Sequence, residues 1–281
     1  MKAKVLKSFN LLLQIVIFVV AYGFIYKEVI RKMDIAGLLK GIHEKLTEST
    51  FIFLLFFSFL LMFLNLGIEA QKWRFLIGKF EQVSLLKSLK AVFAGVTVSV
   101  FTPNRIGEYF GRVFMLRQLR PVKGILITFI GSMGQLMATI LTGLLGLLFF
   151  LPRIIDVFVF PSLPVYWGVV IATMIIVGLL MLLYLNFPLL SVFLQKLFPG
   201  SREKIVEYTI VFESYSSAEL AHVLLLSLLR YAVFTVQFIL LLLAFGISLP
   251  LSHYIVVIPV IFLVMTAIPT IALSELGIRG S

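Results

Sequence analysis

The feature that most constrains this chain is the length of its apolar runs. Phe9–Tyr26, Thr50–Ile68, Gly124–Leu151, Val165–Phe187, Ala221–Gly246 and Tyr254–Leu273 are each dominated by Leu, Ile, Val and Phe. About 20 such residues in a helix cross the hydrocarbon core of a bilayer. The fold class expected is therefore an all-α polytopic membrane protein of about six or seven transmembrane helices, forming a single transmembrane domain over residues 1–281. Composition agrees. Of 281 residues, 61% are hydrophobic and 13% charged, against about 45–50% and about 25% in a soluble domain. No stretch is left for a separate soluble catalytic domain.

One apolar segment, Ala91–Phe101, is too short to span alone and runs into Thr102-Pro103-Asn104. It reads as a re-entrant or broken helix, which survives at membrane depth only when buried in protein or lining a wet cavity. The loop charges then sort by side. Lys72, Arg74, Lys79, Lys87 and Lys90 fall in one stretch, and Arg105, Arg112, Arg117, Arg120 and Lys123 in another. If the short segment enters and leaves by one face, both are cytoplasmic, as the positive-inside rule requires. Lys2, Lys4 and Lys7 precede an apolar run that continues to Tyr26, so it reads as a retained first helix with a cytoplasmic N-terminus in the cell (plasma) membrane. The 27–49 linker resists this sorting: it would lie outside, yet it carries Lys27, Arg31, Lys32, Lys40 and Lys45; with Ile35, Leu38, Leu39, Ile42 and Leu46 at helical spacing, it reads as an amphipathic surface helix.

The order helix, charged linker, helix, Pro-interrupted segment occurs twice, giving repeat halves 1–123 and 124–281. The leading helices would run in opposite directions. Paired broken segments in inverted repeats point to a transporter binding site, although apolar helices and prolines are common enough in such chains to coincide.

Four groups of residues carry chemistry. In the first, Arg105, Glu108 and Arg112 follow Pro103 at i, i+3 and i+7 of a helix, with Gly107 and Gly111 beside them. Glu108 stands four residues before Arg112, the favourable order for an ion pair. The plain reading is an interfacial ladder; the functional one is that Glu108 aims Arg105 and Arg112 at a lipid phosphate, for which Arg offers a planar fork. Pro103 and Gly107, with Pro269 and Gly277 of the fourth group below, are candidate structural or hinge positions. In the second group, Asn65, Glu69 and Trp73 share a face at i, i+4 and i+8. Trp73 reads as an interfacial anchor, while an acid such as Glu69 needs a partner; Arg105, Arg112 and Lys72 are the candidates. The third is Arg230, inside an apolar run with Gln237 on the same face; it either snorkels or lines a cavity. The fourth is Pro269 with Glu275, Gly277 and Arg279, which echoes the first group. Gln135 with Gly131, Thr139, Gly143 and Gly146 reads as a small-residue packing stripe, not a site.

Several function classes find no support. The chain has no cysteine and three scattered histidines, so thiolate chemistry and a histidine metal site are not expected. There is no P-loop, no G-x-S-x-G elbow and no H-E-x-x-H pair. The two aspartates, Asp34 and Asp156, are far apart in sequence. No cofactor or metal is expected, and catalysis by this chain alone is not. The net charge of +11 is spread among short loops, which suits cytoplasmic loops or anionic lipid rather than nucleic acid.

Asn65…Glu69…Lys72-Trp73-Arg74, Thr102-Pro103-Asn104-Arg105-Ile106-Gly107-Glu108…Arg112 and Pro269…Gly277-Ile278-Arg279 together resemble the lysylphosphatidylglycerol synthase transmembrane region family, the flippase-like membrane proteins. The resemblance implies handling of an anionic, aminoacylated or glycosylated lipid. It does not imply lysyl transfer, because this chain lacks the transferase domain of the synthase-type relatives. Two departures stand out. Gly280 follows Arg279 where the family commonly has an acid, and the family usually continues for one or two more helices, so truncation at Ser281 is an expectation.

Three functions are then in play. A lipid translocase, flippase- or scramblase-like, would hold a phospholipid or glycolipid headgroup near Arg105, Glu108, Arg112, Arg230, Glu69, Glu275 and Arg279. A non-transporting membrane partner would scaffold a lipid-modifying or glycosyltransferase enzyme. An integral membrane enzyme would use Glu108 or Glu275 as a general base.

Overall fold

In a computed structural model of the chain, the structure describes residues 45–100, 102, 106–155, 163–186 and 210–267. Seven α-helices lie wholly within them: α1 (Ser49–Ile77), α2 (Leu85–Val100), α3 (Gly107–Val113), α4 (Pro121–Ile155), α5 (Leu163–Leu185), α6 (Ser217–Ala244) and α7 (Leu251–Ala267). Four of them (α1, α4, α5 and α6) are long and apolar enough to cross a membrane, and α7 is a shorter apolar helix. The protein is a multi-pass, all-helical membrane protein. The expected first span, the 27–44 part of the amphipathic linker, Pro103, Arg105 and the whole 268–281 motif lie outside the described residues, so the twofold repeat and the chain's end are not addressed by them.

The centre of the bundle is the antiparallel pair α1 and α6. Phe51 packs edge-on against Phe245 at one end. At the other, Phe75 meets His222 and Lys79 pairs with Glu219 at 2.6 Å. α4 closes one side of this pair. The Trp73 indole N–H donates to Thr128 at 3.2 Å, and Tyr215 donates to the Leu76 carbonyl at 2.7 Å. The boundary of the second span differs from expectation. The apolar run stops at Ile68, but the helix continues to Ile77, because Glu69, Lys72 and Trp73 all face the protein interior.

Small residues let the backbones approach, as membrane packing favours. A Cβ on Gly143 would stand 2.5 Å from Leu263, and one on Gly146 would stand 3.1 Å from Pro259, so α7 lies against α4 at these glycines. α6 begins with a capping box between Ser216 and Glu219. It ends in a Schellman turn: Gly246 adopts φ +82 while Ile247 N–H reaches back to the Leu242 carbonyl at 2.9 Å. Glycine is suited to that left-handed position. The turn leads directly into α7.

α2 has 16 residues, about 24 Å of helix, which is short of the ~30 Å hydrocarbon core. The chain then reverses, and α3 returns along α2. A Cβ on Gly111 would come within 2.7 Å of the Ala94 carbonyl, and one on Gly107 within 2.5 Å of the Val98 carbonyl. Gly107 is therefore a close-packing position, and its N–H donates to Thr102 Oγ1 at 2.7 Å to close the reversal. This is a helical hairpin that leaves by the end it entered.

At that end Glu81 ties two connections together. Its carboxylate accepts the backbone N–H of Gln118 at 3.0 Å and of Arg117 at 3.1 Å, and pairs with Lys87 at 2.9 Å. Burial alone would raise its pKa. The Gln118 and Arg117 amides and the Lys87 ammonium overcome that and hold it at about 2, below the ordinary 4.5.

Gly111→Ala forces the hairpin apart and lowers the melting temperature of the detergent-solubilised protein, with a cost of roughly 1–3 kcal/mol, as for overpacking. Glu81→Gln also lowers it at neutral pH. Because the folded carboxyl is depressed, its stabilisation is complete above about 4.5 and fades toward 2. The gap between wild type and variant therefore narrows as pH falls through that window.

Candidate functional site: a buried charge cluster

Glu69 sits eight residues before the end of α1, roughly 12 Å along the helix axis, with 3% of its surface exposed. Three cations converge on it from three different helices. Lys72, one turn on in α1, places Nζ 2.8 Å from Oε2. Arg230 of α6 places Nη1 2.8 Å from the same oxygen. Arg112 of α3 places Nη1 2.8 Å from Oε1. The other terminal nitrogen of Arg112 pairs with Glu108, one turn back on α3.

Polar side chains complete the cluster. Arg230 Nε donates to Asn65 Oδ1 at 2.9 Å, and the Asn65 amide returns a hydrogen bond to the Arg230 carbonyl at 3.4 Å. Arg230 Nη1 also approaches Gln135 Oε1 of α4 at 3.4 Å. Lys72 Nζ donates to Ser227 Oγ at 3.4 Å. The Arg230 guanidinium lies 5.5 Å from the centre of the Phe234 ring, a cation–π distance. The hairpin makes the Arg112 contact. Gly95 faces Arg112, and a Cβ there would stand 3.0 Å from its Cγ.

The spacing Asn65, Glu69 (i, i+4) thus puts both residues on the buried face of α1. Trp73 continues that face, and this corrects its reading as an interfacial anchor. It is 1% exposed, packed in the core and hydrogen-bonded to Thr128, because α1 runs on for a further turn inside the protein. Gln135 is likewise more than a packing residue, since it reaches Arg230; Gly131 and Gly143, in contrast, do pack helices. Gln237 is partly buried, but the partners of Arg230 lie on α1 and α4 instead. Of the seven headgroup residues expected, Glu69, Glu108, Arg112 and Arg230 come together. Arg105, Glu275 and Arg279 lie outside the described residues. Lys72, in sequence only a candidate partner of Glu69, joins the cluster, and so does Ser227, which the sequence motifs do not include. The signal for Ser227 is its place three residues before Arg230, which puts both on one helix face.

The sequence model of the lysylphosphatidylglycerol synthase TM region matches residues 11–279. The chain belongs to that family. The lysylphosphatidylglycerol synthase TM region places it among membrane proteins of lipid metabolism or transport. Neither a curated protein nor a solved structure matches this sequence.

Against that family background the charge balance matters. Lys72, Arg112 and Arg230 supply three positive charges; Glu69 and Glu108 supply two negative ones. One positive charge is left over among the described residues. Removing Glu69 worsens this imbalance, and removing Lys72 cures it. Glu69→Gln should therefore destabilise by about 3–5 kcal/mol, the cost of breaking a buried pair from one side, and Lys72→Met by distinctly less. Melting temperatures of the two purified variants check the order.

Proposed function

We propose that this protein is a lipid translocase that moves an anionic, aminoacylated or glycosylated lipid between leaflets without hydrolysing ATP. The observation that carries this reading is the convergence of Lys72, Arg112 and Arg230 on Glu69 within a membrane bundle. Structural glue is a poor account of it. Desolvating ions is costly, and apolar residues of similar volume hold helices together as well or better. Ionisable side chains at membrane depth mark pathways for polar cargo. Two of the cations are arginines, whose planar forks suit a headgroup phosphate. One of them, Arg112, comes from the α2–α3 hairpin and not from the α1–α6 pair.

In this reading the cargo is a membrane phospholipid or glycolipid of the cell membrane. The N-terminus and the basic end of the bundle, with Lys79, Lys87 and Arg117, face the cytoplasm, by the positive-inside rule. The headgroup meets Arg112 and Arg230 while the acyl chains stay in lipid. The chain's own role is to replace the headgroup's water with fixed charges, not to make or break a bond.

The test places the full chain in liposomes with trace fluorescent phosphatidylglycerol or a fluorescent glycolipid, followed by a membrane-impermeant quencher. Quenching should exceed the half that the outer leaflet contributes. Arg112→Lys keeps the charge but loses the fork; it should fold and move lipid about tenfold more slowly, the effect of ~1.4 kcal/mol at the barrier. Quenching that stops at half for every lipid contradicts the translocase reading and favours a scaffold for a lipid-modifying enzyme.

A further inference from the structure

Glu69 has little acceptor capacity to spare. Its Oε1 takes Arg112, and its Oε2 takes both Arg230 and Lys72. A carboxylate offers about four lone-pair sites, and three are filled by cations at 2.8 Å. A ligand ammonium arriving here would be the fourth cation on one carboxylate. An arriving anion meets the opposite situation. The described cluster is one positive charge in excess, and Arg112 Nε is buried without a hydrogen-bond partner. Arg112 itself is 2% exposed, so this donor is shut away from water and unused. Buried donors of that kind are rare and call for an explanation.

The shape of the acceptor matters as well as its charge. The Glu69 carboxylate presents two oxygens on one atom, with a guanidinium on each. The two unesterified oxygens of a phosphodiester make the same presentation, which is why Arg pairs with either group through the same fork. Glu108 holds the remaining terminal nitrogen of Arg112, and its side chain is 18% exposed, the least enclosed of the five charged groups in the cluster.

We propose that Glu69 and Glu108 are internal stand-ins for an anionic phosphoryl group, which binds Arg112 and Arg230 by displacing these carboxylates. The inference rests on the translocase reading only in taking the cluster as a ligand site. It adds the sign and mechanism of recognition: the two glutamates oppose ligand binding, setting affinity low enough for release. A site of permanently free arginines in a membrane would hold an anionic headgroup too tightly to let it go.

The sign of the effect is the test. Binding of soluble dihexanoyl-phosphatidylglycerol and of inorganic phosphate is measured on the purified full chain in detergent. Glu108→Gln frees one nitrogen of Arg112 without touching Glu69, and it should tighten binding of at least one probe by on the order of tenfold, within the usual range of coupling between sites. Glu69→Gln should do the same where it retains a cooperative melt. Adding Arg112→Leu to Glu108→Gln should abolish the gain, which a purely structural effect of Glu108 does not predict. A gain for the lipid alone shows that the phosphoryl group is read on a lipid, and a gain for both probes shows that the group itself suffices; either upholds the proposal. Unchanged or weaker binding of both probes to Glu108→Gln overturns it. The two proposals fail separately. A wild-type chain that leaves lipid in its leaflet removes the translocase reading and leaves this binding result standing. Lipid movement with no gain in Glu108→Gln does the reverse.

Discussion

An ionised carboxylate buried inside a helical bundle must be surrounded by partners, because no water is there to solvate it. Glu69 meets that demand with cations from α1, α3 and α6. The demand shapes the rest of the bundle. It requires α1 and α6 to lie antiparallel at a fixed register, so that Asn65 and Glu69 both reach Arg230. It requires the α2–α3 hairpin to carry Arg112 inward. It also draws Gln135 of α4 and Ser227 of α6 into the same network.

The glycines of the hairpin serve this end. Gly95, Gly107 and Gly111 let α2 and α3 pack backbone to backbone, which brings the whole Arg112 side chain against α1. A bulkier hairpin would hold the guanidinium away from Glu69. The end of the hairpin is fixed in turn by Glu81, which accepts amides from the connection between α3 and α4. The outcome is a short, well-anchored element ending on the charge cluster.

Much of this was legible in the sequence. The apolar runs Thr50–Ile68, Gly124–Leu151, Val165–Phe187 and Ala221–Gly246 named α1, α4, α5 and α6, because each supplies about the 20 apolar residues that a bilayer crossing needs. The interruption at Thr102–Pro103 gave the short helix and its reversal, and the i, i+4 spacing gave the Glu108–Arg112 pair. The apolar run ends short of the end of α1 for a physical reason: hydropathy reads Lys72 and Arg74 as loop charges, whereas Lys72 pairs with Glu69 and stays helical and buried. Trp73 was misread by the same step. Which cation Glu69 would choose was not legible, because the answer is all of Lys72, Arg112 and Arg230. That depends on the antiparallel register of α1 and α6, a tertiary fact with no local trace. Gln135 could not be separated from its glycine neighbours for the same reason.

The central claim is that Glu69 and Arg112 are joined across the hairpin as one energetic unit. A double-mutant cycle on the purified protein tests it most directly, with Glu69→Gln, Arg112→Gln and the pair compared by denaturant or thermal unfolding in one detergent. The account predicts that the double variant is no less stable than the worse single variant, with a coupling energy above about 1 kcal/mol, as for groups in one buried network. Losses that simply add would contradict it, because two residues that do not sense each other cannot share the charge on which the site is built.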